Sequence, residues 1–267
     1  MTAQTGELPL AGLRAVVTGA SSGIGRAIAI AFSAAGARVG IGFCQSAEAA
    51  RALADELGGD GKNPLLQADL GTSDGCTSIV NGAFTAFEHV DVWVNNAGRG
   101  ITKPVLELTD EEFDLIMAAN VKSALYGMQA IAPHFLERKG GHIVNVSSML
   151  SRVPFATYRS AYNAAKHALN ALTANARVDL HAKCPDVHVT LVMPGLVSTD
   201  FAKNALGGSP PPPRTPAQTP EEVAAAIVNA IDRPVAEVYT NPALAGLAVK
   251  YLQDVEAFER EQAMVTR

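Results

Sequence analysis

Seven short runs of apolar and β-branched residues, separated by segments of helical period, constrain this chain more than any other feature. The runs are LRAVVT, RVGIGF, NPLLQADL, VDVWVNN, GHIVNVSS, VHVTLVMP and AEVYTN. They are nearly continuous in apolar residues rather than alternating, as expected of parallel strands covered on both faces. Between the first two, Ile24, Ala27, Ile28, Ala31, Phe32 and Ala35 recur at helical spacing and stop at Gly36, a glycine placed to end a helix. Thr109 with Glu112 precedes FDLIMAANV, and Thr219 with Pro220 and Glu222 precedes VAAAIVNAI; both have the form of a capping box. This alternation predicts an α/β fold: a Rossmann-type, doubly wound, mostly parallel seven-stranded sheet with helices on both faces. A chain of 267 residues suffices for one such domain, 1–267, and neither an internal repeat nor a linker interrupts it.

Composition removes several function classes. The net charge is −5 and no long basic run occurs, which argues against nucleic acid or an anionic membrane as partner. Cys44, Cys76 and Cys184 are odd in number and form no C-x-x-C, so neither a disulfide framework nor a zinc site is expected. The six histidines show no metal-ligand spacing, and no metal is predicted. The opening MTAQTGELPLAGLR has no basic-then-apolar leader pattern, and no apolar run approaches the about 18 residues of a membrane span. The expected location is the cytoplasm.

The first strand runs into TGASSGIG, Thr18–Gly25, and then into a helix. Gly19, Gly23 and Gly25 suit a tight turn, close approach of backbone to a pyrophosphate, and close packing of helix on strand. The helix would then present free N–H groups to the phosphates. A glycine-rich turn without a ligand is the competing reading; the setting between strand and helix favours the dinucleotide.

Further along, Tyr162 stands four residues before Lys166 in SAYNAAKHALNALTANARVDL. On a helix such residues share a face, roughly 5–6 Å apart. A tyrosine titrates near ~10 and is a poor base at neutrality, but a neighbouring ammonium favours the phenolate. Of the five tyrosines only Tyr162 has a lysine so placed. Ser147 and Ser148 end the strand GHIVNVSS, at the carboxyl edge where open α/β sheets bind ligands.

These motifs occur in a telling order: TGASSGIG, NNAG at Asn95–Gly98, Asn120, Ser148, Tyr162 with Lys166, and PGLVST at Pro194–Thr199. In this the chain resembles the short-chain dehydrogenase/reductase (SDR) family over roughly residues 10–205. The resemblance implies a nicotinamide cofactor. Gly19, Ser21, Ser22, Gly23, Ile24 and Gly25 would cradle its phosphates. Asp69 and Leu70 would meet the adenine, with Asn96, Ala97 and Gly98 along the adenosine ribose. Asn95 would stabilise the central sheet. Pro194, Gly195, Val197 and Thr199 would hold the carboxamide, and Tyr162 and Lys166 the nicotinamide ribose.

The same resemblance assigns catalysis to Asn120, Ser148, Tyr162 and Lys166. Tyr162 would exchange a proton with the substrate oxygen while Lys166 lowers its pKa. Ser148 would stabilise the developing alkoxide, and Asn120 would distort its helix and hold a water linking the lysine to solvent. Ser148 precedes Tyr162 by 14 residues, one more than is commonest in the family, which leaves Ser147 or Ser151 as fallbacks.

Cofactor choice is expected at the end of the second strand, where an acidic side chain binds the ribose 2′-OH of NAD. Here that site is Phe43, followed by Cys44, Gln45 and Ser46, and no carboxylate occurs before Glu48. NADP(H) is therefore expected, with Gln45 and Ser46 available to donate to its phosphate, and NAD(H) as the alternative. The substrate is expected to be a small, largely apolar alcohol or ketone walled by Met149, Leu150, Val153, Phe155 and Phe201, and the chain a homodimer or homotetramer by resemblance. GGSPPPPRTP, residues 207–216, is expected to be a stiff surface loop or a lid over that pocket. A catalytically silent cofactor-binding regulator on the same fold is the alternative function. A sugar-nucleotide epimerase is disfavoured, because only 68 residues follow Thr199.

Overall fold

The computed structural model describes residues 8–210 and 216–265; residues 211–215, half of the proline-rich stretch expected to form a loop or lid, lie outside the described residues. Seven strands form one sheet: β1 (Arg14–Val17), β2 (Arg38–Phe43), β3 (Leu65–Gln67), β4 (Val92–Asn95), β5 (Gly141–Val146), β6 (Val187–Met193) and β7 (Glu237–Tyr239). Their order is β3-β2-β1-β4-β5-β6-β7, and every pairing is parallel. The sheet expected to be mostly parallel is parallel throughout, because each strand returns through a helical crossover.

The helices are α1 (Gly23–Ala34), α2 (Ala47–Glu56), α3 (Ser73–Phe87), α4 (Asp110–Met117), α5 (Ser123–Arg138), α6 (Ser160–Lys183), α7 (Pro220–Asp232), α8 (Ala243–Gln253) and α9 (Val255–Val265). Ala15 and Val17 join one core, with Phe32 of α1, Leu53 of α2 and Ile227 of α7. Val16 joins the other, with Ile79 of α3, Ile131 of α5 and Leu180 of α6. Successive strand residues thus feed opposite layers, and each fully buried Phe or Ile contributes about 1.5–3 kcal/mol. Both expected capping boxes form, at Thr109 with Glu112 and at Thr219 with Glu222.

The third run is trimmed to three residues. Asn63 uses its amide to accept from the Val39 N–H and to donate to the Leu57 carbonyl. Asp69 then turns the chain by accepting from the Gly71 N–H.

Strand order reverses between β1 and β4. The chains leaving their carboxyl ends diverge there, which opens a crevice where doubly wound sheets bind ligands. Both the glycine turn after β1 and the NNAG segment after β4 lie at this point.

Candidate active site

Thr18 ties the two sides of the crevice together. Its buried hydroxyl donates to the Val94 carbonyl and accepts from the N–H groups of Asn96 and Ala97. The Asn96 amide donates back to the carbonyls of Thr18 and Gly19. Gly19 and Gly23 have φ of 65° and 54°, a region that favours glycine. At Gly25 a Cβ would run into the Gly19 carbonyl and the Asn96 amide. The three glycines thus hold the start of α1 hard against the end of β4.

That start of α1 suits an anion. Ser22 is its N-cap, yet the hydroxyl makes no cap bond and the first turn holds no acidic residue. By contrast, α3, α4 and α7 are capped by Thr72, Thr109 and Thr219. Uncapped N–H groups and the helix dipole favour a phosphate here. Ser21 and Ile24 are half-buried and Ser22 is exposed. Thr199 reaches the same turn: a Cβ on Gly23 would lie 3.4 Å from its methyl group. Pro194 accepts from the Met149 N–H, and Val197 pairs with Gln218. PGLVST therefore closes one side of the crevice, as a cofactor-gripping segment would need to.

Where the adenine was expected, Asp69 and Ser46 are exposed and Leu70 is buried in the core. Phe43 is buried, while Cys44, Gln45 and Ser46 are exposed, so the end of β2 presents no carboxylate.

On the other side, Asn120 sits in a π-helical turn, Ala118–Lys122, between α4 and α5. Its amide nitrogen donates to the carbonyls of Arg99 and Ile116, each at 2.9 Å, and its oxygen accepts from the Arg99 N–H. The wider turn frees backbone groups that the asparagine then serves, a common basis for such bulges. A Cβ on Gly98 would lie 2.6 Å from Asn120 Oδ1 and 3.8 Å from Lys166 Nζ. Only a bare glycine fits over this pair.

Lys166 is 4% exposed. Its ammonium donates to the Val146 carbonyl at 2.9 Å and lies 5.6 Å from the centre of the Tyr162 ring. Burial lowers its pKa to about 8. Burial also pushes the Tyr162 phenol up to about 12, against a hydrogen bond from Ser148 and the charge of Arg159. This departs from the expectation that Lys166 makes the phenol acidic. Desolvation of the half-buried ring outweighs the neighbouring charges in the protein alone.

The three candidate serines separate clearly. Ser148 is the serine that lowers the pKa of the Tyr162 phenol. Ser147 donates to Asn170 Oδ1 at 2.7 Å, and Ser151 donates to the Ser148 carbonyl while accepting from the Asn170 amide. Asn170 thus draws both fallback serines away from the phenol.

Two expected pocket walls do not face the cleft. Met149 and Val153 are 1% and 0% exposed and pack with Ala248 of α8 and Phe258 of α9. The 3₁₀ turn Met149–Ser151 directs them into this C-terminal cluster. Phe155 and Phe201 remain over a third exposed, and the Phe201 ring lies 5.6 Å from that of Tyr162. Sequence reasoning missed Arg159, which is 9% exposed and acts electrostatically on Tyr162. Its spacing, three residues before Tyr162 at the mouth of a helix, was the available signal.

The family model described as short chain dehydrogenase matches residues 14–207. An uncharacterized oxidoreductase, YxnA, of Bacillus subtilis is 32% identical over 229 residues, covering 84% of this chain; the match spans 64% of that protein's length. Versicolorin reductase stcU of Emericella nidulans is 32% identical over 195 residues, 72% of each chain. Among solved structures, a short chain dehydrogenase/reductase from Burkholderia phymatum in complex with NAD superposes with a TM-score of 0.83 at 26% identity, covering 95% of this chain and 96% of its own. A short chain dehydrogenase from Burkholderia cenocepacia in complex with NADP gives 0.78 at 27% identity, covering 95% and 98%.

Proposed function

The chain belongs to the short chain dehydrogenase family, and from that premise we propose that it interconverts a secondary alcohol and a ketone with a nicotinamide cofactor, NADP(H) in preference to NAD(H). The observation that carries the proposal is the buried Lys166 ammonium, bonded to the Val146 carbonyl at the end of β5 and 5.6 Å from the centre of the Tyr162 ring, with Ser148 favouring the ionised phenol. A bound nicotinamide would supply or take up the hydride, and its oxidised ring would add positive charge favouring the phenolate. The protein groups handle the proton. Ser148 donates a hydrogen bond to the substrate oxygen, which stabilises charge developing there. Tyr162, held protonated by burial, passes its proton to that oxygen during reduction. Lys166 takes up and releases protons near pH 8, and Asn120, its neighbour across Gly98, keeps the π-helical turn open beside it. In this proposal residues 1–267 act as one dinucleotide-binding and catalytic unit.

The preference for NADP(H) is supported by the end of β2, where Phe43 is buried and the exposed Cys44, Gln45 and Ser46 carry no negative charge. A 2′-phosphate there meets no repulsion, whereas an NAD-selective site offers a carboxylate to the 2′-OH.

The test is Tyr162→Phe, assayed by absorbance of the reduced nicotinamide against a panel of ketones and alcohols. Turnover should fall about 10²–10⁴-fold while the cofactor dissociation constant stays as in the wild type. Turnover at the wild-type rate would remove Tyr162 from its role.

A further inference from the structure

Arg159 is the N-cap residue of α6, is 9% exposed and acts electrostatically on Tyr162. Nη1 donates to the Ile101 carbonyl at 3.3 Å, and the group lies 5.8 Å from the centre of the Tyr158 ring. A Cβ on Gly100 would come within 2.8 Å of Nη1, 3.0 Å of the Phe201 ring and 3.3 Å of Ala205. Arg159, Phe201 and Ala205 therefore converge over Gly100, and Phe201 in turn faces Tyr162.

Among the described residues no carboxylate balances this cation. Among the described residues Arg159 enters no ion pair. The nearby Lys103 is already neutralised by Glu112 at 2.8 Å. The phenol of Tyr162 is uncharged at neutral pH, burial having raised it. Among the described residues Arg159 also makes no second side-chain hydrogen bond, yet none of its nitrogens is among the sealed polar atoms without a partner. The free edge of its fork therefore keeps access to solvent. An arginine holds its charge at any physiological pH. Burying such a charge without a counter-ion is costly, and folds that retain one beside a reaction centre have a use for it.

We propose that Arg159 anchors a carboxylate on the substrate, so that the natural ketone or alcohol carries an apolar body against Phe201 and one anionic end. The free edge of a guanidinium matches the two oxygens of a carboxylate in a bidentate pair. One negative charge balances the one cation, whereas a phosphate dianion would leave net charge in the cleft. The amino end of α6 adds favourable potential at the same place. The inference rests on the oxidoreductase reading and narrows its substrate class.

The experiment compares 4-oxo-4-phenylbutanoate with its methyl ester, each titrated calorimetrically into the protein saturated with NADP⁺, where no hydride can pass to a ketone. The wild type should bind the carboxylate at least tenfold more tightly, about 1.4 kcal/mol, and Arg159→Met should erase the difference. Equal affinity for the two in the wild type, binding of neither, or a preference that survives Arg159→Met would overturn the proposal. The wild-type comparison stands even if the variant does not fold. Failure of the oxidoreductase reading looks different: carboxylate-selective binding would persist while no ketone or alcohol changed the absorbance of either cofactor.

Discussion

Lys166 donates its ammonium to the Val146 carbonyl at 2.9 Å and faces the Tyr162 ring from 5.6 Å. The cation is thus held by the last residue of β5, beside the phenol rather than bonded to it. A group that strand and helix together bury in this way carries a cost in stability that its function must justify.

Replacing Lys166 by Met should therefore stabilise the protein while disabling it. Burial takes the lysine from 10.5 to about 8, so between those values the unfolded chain binds more protons and stability rises with pH. Below about pH 8 the full cost is present. At about 1.4 kcal/mol per pH unit, less about 1 kcal/mol for the lost hydrogen bond, Lys166→Met should gain about 2 kcal/mol at pH 7. The gain should vanish by pH 10.5. Denaturant melts at the two pH values decide it; a variant less stable at pH 7 would show that the Val146 bond outweighs desolvation.

Asn120→Ala should loosen the π-helical turn. It leaves the carbonyls of Arg99 and Ile116 without their donor at a residue 1% exposed. A loss of about 2 kcal/mol is expected, with kcat falling more than KM rises. Amide exchange across residues 116–123 should quicken, and protection equal to the wild type would contradict the role given to the asparagine.

Two glycines on helices should respond with opposite signs. A Cβ on Gly127 of α5 would intrude on Asn95 Oδ1 and lie 2.9 Å from Trp93 Nε1, the pair joined by the indole hydrogen bond. Gly127→Ala should cost about 1–3 kcal/mol. Gly246 of α8 is exposed with nothing within 4 Å of a Cβ, and Gly246→Ala should gain about 1 kcal/mol from helix propensity. Thermal melts of the two variants would expose a wrong assignment of either environment.

Cys44→Asp should turn the cofactor preference. The residue is exposed immediately after β2, and the backbone carbonyl that accepts from Gln67 survives the change. The new carboxylate repels a 2′-phosphate and can accept from a 2′-OH. The ratio of kcat/KM for NADPH over NADH should drop at least about tenfold, or ~1.4 kcal/mol; an unchanged ratio would place the 2′ group elsewhere.

Much of the frame was legible because its signals are local. The apolar runs became β1 to β7, Thr109 and Thr219 opened helices as their spacing foretold, and the glycine turn fell between β1 and α1. The Tyr162–Lys166 spacing was legible for the same reason, since four residues on a helix share a face. The inward face of α6 was less so. Asn163, Lys166, Asn170 and Thr173 are all buried, with Asn170 serving Ser147 and Ser151 and Thr173 accepting from Asn145. A polar stripe of this kind looks solvent-facing until the strands that supply its partners are in place.

What the sequence determined by itself is whatever neighbouring residues decide among themselves: strand or helix, where a cap or a glycine turn falls, and which side chains share a helical face. Only the tertiary structure decided that Met149 and Val153 turn toward α8 and α9, that Asn170 takes Ser147 and Ser151 as its partners, and that Arg159 lies buried without an ion-pair partner among the described residues. Those outcomes depend on desolvation and on partners dozens of residues away, and a residue's burial is set by what the rest of the chain packs around it.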